Sequence, residues 1–181
     1  IPSTTGDVIP EYVSSFEQYK KDVIGRYSSD LTMKGVGEEL LNKEWMNARG
    51  LIFRFGRSAL ELRILDEQEC IKSDVALSCY IRATLRGLLS KEHGKVSYST
   101  LVSDYNSIVK NGLSSSVLHP KGKTARDVCL YFFDIASEYA TMSEKKYLWI
   151  IKKRIDDGSL SDLIKKRVLN KLKSMPSRDA I

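Results

Sequence analysis

The sequence predicts an α+β fold, mainly helical, with one β-hairpin near the end of its first third. Three observations predict it. Apolar residues recur at helical spacing over most of the chain, and throughout the part after Ser73. In one stretch, Leu51 to Leu65, that spacing gives way to alternation, broken once at Gly56-Arg57. Hydrophobic residues make up 42% and charged residues 29%, a balance that builds a core rather than a disordered coil.

The elements follow in order. Residues 1 to 12 hold two prolines and a glycine and read as loop. A helix opens at Ser14-Ser15 and runs through Phe16, Tyr19, Val23 and Tyr27, and a short helical stretch follows from Gly37 to Asn42. A two-residue loop at Gly56-Arg57, glycine first, pairs Arg54 with Ala59, Phe53 with Leu60 and Ile52 with Glu61. Side chains two apart on a strand share a face, so Leu51, Phe53, Phe55, Leu60, Leu62 and Ile64 form an apolar core face. Arg54, Glu61 and Arg63 gather on the other. A three-residue loop would mix Arg54 with Leu60 and Leu62, so the two-residue register is favoured.

After the hairpin, Ser73 is read as the cap of a helix ending near His93-Gly94. Ser97 opens another, stopped by Asn111-Gly112. Thr124 with Asp127 is a capping-box variant before a third. Two more span about Ser143 to Asp156 and Ser161 to Lys173, separated by Asp157-Gly158. The organisation is 1–72 for linker, first helices and hairpin, 73–173 for the helical region and 174–181 for a frayed tail.

The chain's 181 residues suffice for one structural unit with a real core. No apolar run reaches the roughly 20 residues of a membrane span, and the start lacks the pattern of a signal peptide. Three widely spaced cysteines, Cys70, Cys79 and Cys129, point to neither a disulfide framework nor a zinc site, which fits a reducing cytoplasm. A beginning without methionine, at a Pro/Ser/Thr/Gly-rich stretch, reads as a piece of a longer chain. Between Glu144 and Lys173 ten lysines and arginines face four acidic residues, a surplus equal to the whole chain's +6. Such a face usually meets water; its functional alternative is an acidic partner or nucleic acid.

For chemistry the hairpin stands out. Glu61 and Arg63, adjacent on one strand face, offer an oxygen ligand for a hard cation and a fork for phosphate. Charge is dense around them: Arg49, Arg54, Arg57, Asp66, Glu67 and Glu69 fall in the same short stretch. Other signals carry less. Gly122-Lys123-Thr124 lacks the first glycine of a phosphate-binding loop, because Val117 stands there. His93 and His119 have no spaced ligand partner. Cys129 reads as a small buried side chain, and Cys70 has no base near it in sequence.

The segments Glu44-Trp45-Met46-Asn47-Ala48-Arg49-Gly50, Arg54-Phe55-Gly56-Arg57 and Leu60 through Cys70 together resemble the signature of the second glutamate-cysteine ligase family, the carboxylate-amine ligases. The resemblance is strong from about 12 to 90 and looser to about 137. It departs at Gly56, where an acidic residue is usual, and at Ile71, where proline is common. It implies the carboxy-terminal part of a glutamine-synthetase-like enzyme, the hairpin completing a larger antiparallel sheet supplied by a missing amino-terminal half. It also implies ATP and Mg2+ as cofactors, glutamate or a similar carboxylate and an amine as substrates, and an acyl phosphate between them. The resemblance gives Glu61 to magnesium and Arg63 to nucleotide phosphate, with Asn47, Arg49, Arg54 and Arg57 as further binders of substrate or ATP. The fragment alone is expected to be inactive, since one glutamate does not complete a magnesium site, and to self-associate through unpaired strand edges. The competing reading is a non-catalytic helical binding module whose basic helices, Lys145 to Lys173, meet nucleic acid or a protein.

Overall fold

Ser15 starts the first helix, its hydroxyl accepting a hydrogen bond from the Gln18 amide at 3.1 Å. The computed structural model describes residues 5–41 and 47–174, and the chain divides after Asp66 into two units. In the first unit α1 (Phe16–Tyr19) runs through a π-helical turn, Lys20–Gly25, into α2 (Arg26–Met33). Tyr19, Val23, Tyr27 and Leu31 are buried along this run. They lie four residues apart, a spacing that drifts around a regular 3.6-residue helix. The wider i→i+5 turn offsets that drift and keeps all four on one side. The periodicity locates the helix; the π turn is not legible in it. A short helix, α3 (Glu38–Leu41), follows.

β1 (Leu51–Arg54) and β2 (Ala59–Leu62) pair antiparallel, Leu51 opposite Leu62, Ile52 opposite Glu61, Phe53 opposite Leu60 and Arg54 opposite Ala59. That is the predicted register. The turn chemistry differs from the expectation, because Phe55–Arg57 form a 3-10 turn and the left-handed residue is Ser58, at φ 47°, rather than Gly56. This is the four-residue solution built on a right-handed turn, which needs one left-handed residue at its end. The apolar face is also less uniform than expected. Phe53 packs edge-on against Phe16 and Tyr19, at centroid distances of 5.1 and 4.7 Å, while Leu60 and Ile64 are exposed. The fully buried strand residue is Ile52, 1% exposed, on the face that carries Glu61.

In the second unit α4 (Ile71–Ser90) packs against α6 (Ala125–Tyr139) and α7 (Met142–Asp157). Ala76, Ala83 and Gly87 on α4 and Ala136 on α6 are buried. A Cβ on Gly87 would stand 2.2 Å from Ile135 Cγ2 and 2.9 Å from the Tyr139 ring, so the glycine sets how closely the helices approach. α4 starts earlier than predicted. Cys70 holds the N-cap position, and Ser73 lies buried in the first turn with its hydroxyl donating to Glu69 Oε1 at 2.9 Å. The helix also stops at Ser90, short of His93.

Ser97 caps α5 (Tyr98–Asn111), and Gly112, at φ 62°, ends it. The capping box at Thr124 and Asp127 is present at the start of α6. Thr141 and Ser159 cap α7 and α8 (Leu160–Lys173) in the same way, with Glu144 and Asp162 as partners. Beyond Leu160, α8 is exposed, with apolar Ile164, Val168 and Leu172 interspersed among its lysines. No described helix is long and apolar enough to cross a membrane.

Glu144 ties this unit together and makes it acid-sensitive. Its carboxylate accepts from the Thr141 amide and hydroxyl, each at 2.9 Å, and pairs with Arg86. The Thr141 amide first, then Arg86, hold the carboxyl down at about 2 against an ordinary 4.5. A depressed folded value means the contribution is complete above about 4.5 and is lost as pH falls toward 2. Thermal melting by circular dichroism between pH 6 and 2 is expected to show this acid limb. Glu144→Gln should flatten it; an unchanged limb in that variant would assign the effect elsewhere.

Candidate active site

The polar face of the hairpin is held by a chain of contacts that crosses the first unit. Glu61, on β2, is the centre. Its Oε2 accepts from Arg54 on β1 at 2.5 Å, and its Oε1 accepts from Arg63 Nε at 2.9 Å. Cross-strand register brings Arg54 to Glu61, and the two-residue strand period brings Arg63. Arg63 continues the ladder past β2, its amide donating to the Gly50 carbonyl at 2.7 Å. Its guanidinium also donates to the Asn47 carbonyl.

Behind these groups lies a buried layer. Asn47 and Arg49 are only 2% and 5% exposed. Asn47 Nδ2 donates to the Tyr19 hydroxyl at 2.8 Å, and Asn47 Oδ1 accepts from the Arg49 amide and guanidinium, both at 3.2 Å. Glu11 closes the layer with a two-pronged pair, accepting from Arg49 Nε at 2.5 Å and from its Nη2 at 2.6 Å. The Thr5 carbonyl takes a further Arg49 donor at 3.2 Å. One polar chain therefore runs Glu11, Arg49, Asn47, Arg63, Glu61, Arg54.

Electrostatics follow the geometry. Hydrogen bonding from Arg63, then Arg54, holds the Glu61 carboxyl below the usual range, and Arg49 does the same to Glu11. Both stay ionised at neutral pH. Burial pushes the Tyr19 phenol up, so it remains a neutral hydroxyl. On the strands two guanidinium groups flank one carboxylate, a locally positive arrangement that suits a phosphate or carboxylate oxygen.

Of the residues singled out in the sequence, the fold joins Asn47, Arg49, Arg54, Glu61 and Arg63. Arg57 is exposed in the turn, and the strand partners of Glu61 are Arg54 and Arg63. Glu44, Trp45 and Met46 of the signature lie outside the described residues. Sequence reasoning missed Glu11 and Tyr19. Nothing local marks either one: Glu11 meets its partner across 38 residues and Asn47 meets Tyr19 across 28.

For magnesium the residues fit in part. A carboxylate has about four acceptor positions, of which Arg54 and Arg63 take two, so Glu61 can serve as a single oxygen ligand. Among the described residues no group of three or more His, Cys, Asp or Glu could hold a metal ion. A complete magnesium site needs oxygens from beyond this set.

Gly50 is closely packed beside the site. Its amide donates to the Val8 carbonyl at 2.7 Å, and an added Cβ would stand 2.3 Å from Ile64 Cγ2 and 2.9 Å from that same carbonyl. Gly50→Ala is expected to destabilise the chain by roughly 1–3 kcal/mol, read as a lower urea midpoint. Wild-type stability in that variant would mean Val8 and Ile64 do not close on this glycine.

The site is therefore a carboxylate flanked by two arginines on the hairpin of an α+β chain. The chain belongs to the glutamate-cysteine ligase family 2, whose sequence model matches residues 1–170. It is 37% identical over 164 residues to an uncharacterized protein of Archaeoglobus fulgidus, an alignment that takes in 91% of this chain and 40% of the relative. No solved structure matches it.

Proposed function

We propose that this chain forms part of an ATP-dependent carboxylate-amine ligase, joining glutamate or a similar carboxylate to an amine such as that of cysteine, in the cytoplasm. The observation that carries the reading is the Arg54–Glu61–Arg63 cluster in a chain of this family. In the proposed reaction a substrate carboxylate oxygen attacks the terminal phosphorus of ATP and ADP leaves. The amine nitrogen then attacks the acyl-phosphate carbonyl, phosphate departs, and the nitrogen loses a proton.

Arg63 and Arg54 hold and neutralise the oxygens of the transferring phosphoryl group, which needs positioning and charge more than covalent help. Glu61 keeps the two guanidinium groups apart and aligned, and supplies one ligand to magnesium, which when bound neutralises charge on the phosphates. Asn47 and Arg49 serve from behind, and Arg57 reaches substrate from the turn. The remaining magnesium carboxylates, and the strands that extend the hairpin into a glutamine-synthetase-like sheet, come from further chain, as the 40% coverage of the relative allows.

The test compares two proteins. The full-length enzyme given ATP, magnesium, glutamate and cysteine is expected to release phosphate in step with γ-glutamyl-cysteine. The 181-residue chain alone is expected to release none above background. Turnover by the isolated chain, or phosphate release by the full-length protein that no amine and carboxylate stimulate, would remove this reading.

A further inference from the structure

The second unit contains a cavity that the hairpin chemistry does not use. It lies among α4, α6, α7 and the 3-10 turn Gly112–Ser114, has a volume of about 220 Å³, and is walled by Leu77, Leu113, Ile150, Ile151 and Ile155. An enclosed apolar space of about 150 Å³ accepts benzene, so this larger, partly open one has room for a short aliphatic chain or a phenyl group.

The lining also includes polar residues, Gln68, Ser73, Tyr80, Arg154 and Ser159. Arg154 and Ser73 both hold the carboxylate of Glu69: Ser73 Oγ donates to Oε1 at 2.9 Å and Arg154 Nη2 to the same atom at 2.5 Å. These contacts keep the Glu69 carboxyl ionised, down at about 2. The Arg154 side chain is 23% exposed, whereas that of Glu69 is 43% exposed. Both partners reach solvent, which screens the pair and lets another carboxylate compete with Glu69 for the same donors. The Glu69 acid group already shows which ligand chemistry the donors accept.

We infer that this cavity binds a small monocarboxylate with an apolar tail, the tail among Leu77, Ile150 and Ile151 and the carboxylate on Arg154 and Ser73 in place of Glu69. None of the residues named for the site belongs to the hairpin unit, although Glu69 falls within the Leu60–Cys70 segment of the family signature.

Hexanoate is the probe, with hexanol and benzene as controls, added to the 181-residue chain carrying labelled isoleucine and leucine methyl groups. Hexanoate is expected to shift the Ile150, Ile151 and Leu77 methyl resonances at lower concentration than hexanol does. Benzene reports the cavity without the carboxylate. Glu69→Gln, which weakens the internal competitor, should tighten hexanoate by about two- to fivefold. Arg154→Gln should weaken it roughly tenfold or more while benzene still binds. If benzene shifts these methyls and hexanoate binds no better than hexanol, the carboxylate site is wrong. If neither reaches them, the cavity is not a binding site, and unchanged hexanoate affinity in Glu69→Gln would by itself overturn the exchange.

Discussion

On the proposed ligase reading, Arg63→Ala in the full-length protein is expected to lower kcat/KM for ATP-dependent ligation by about 10³-fold, with the larger share in kcat. The magnitude is that of removing a guanidinium from a transferring phosphoryl group. The position supports it: Arg63 bonds both Glu61 and the Asn47 carbonyl, so its guanidinium is held in place in advance of substrate. Arg63→Lys should recover little, because an ammonium does not reproduce two contacts made by a planar fork. Glu61→Gln separates the roles further. It keeps the side chain's shape but removes the charge between two arginines, so a loss accompanied by a raised magnesium requirement marks Glu61 as a ligand, and a loss without one marks it as an aligning group only. Steady-state kinetics at varied ATP and magnesium would decide. Full activity in Arg63→Ala would end the assignment of phosphoryl chemistry to this strand.

The second large effect is on stability. Glu11→Ala is expected to cost roughly 1.5–3 kcal/mol, the scale of charge-assisted hydrogen bonds, because the buried Arg49 loses both bonds to Glu11 while keeping those to Asn47 and the Thr5 carbonyl. Arg49 is 5% exposed and cannot turn to water, and Glu11 answers it with both carboxylate oxygens. The exposure of Glu11 itself, 44% at the side chain, favours the lower end of that range. Arg49→Met together with Glu11→Ala should recover part of the loss, because the double change removes both charges rather than leaving a buried Arg49 without Glu11. Urea unfolding of the wild type, the two single variants and the double variant gives the coupling directly. Additive losses would show that the pair does not act as a unit. In acid the same pair weakens: the Glu11 carboxyl is depressed, so its contribution is complete above the ordinary 4.5 and fades as pH falls below it.

Much of the site is legible in the residues alone. Alternation from Leu51 to Leu65 sets the strand register, and a register off by one would throw Glu61 and Arg63 to the other face; Ile52 does stand opposite Glu61. The caps at Ser15, Ser97 and Thr124 are readable because capping is local, within three residues. Local signals also mislead. A glycine in the turn suggests the left-handed position for itself, although Ser58 adopts it. Ser73 is of a type that suits a cap, whereas Cys70 holds the position and the Ser73 hydroxyl turns to Glu69.

By itself, then, the sequence determined the α+β class, the pairing of β1 with β2, the shared face of Arg54, Glu61 and Arg63, and the family. All of these rest on periodicity or on neighbours a few residues apart. Only the tertiary structure decided that Glu11 and Tyr19 stand behind Arg49 and Asn47, that Ile52 is the buried strand residue, and that Arg154 meets Glu69 across 85 residues. Contacts at such separations are set by how helices and strands pack, and burial and charge pairing emerge from that packing rather than from any residue's own spacing.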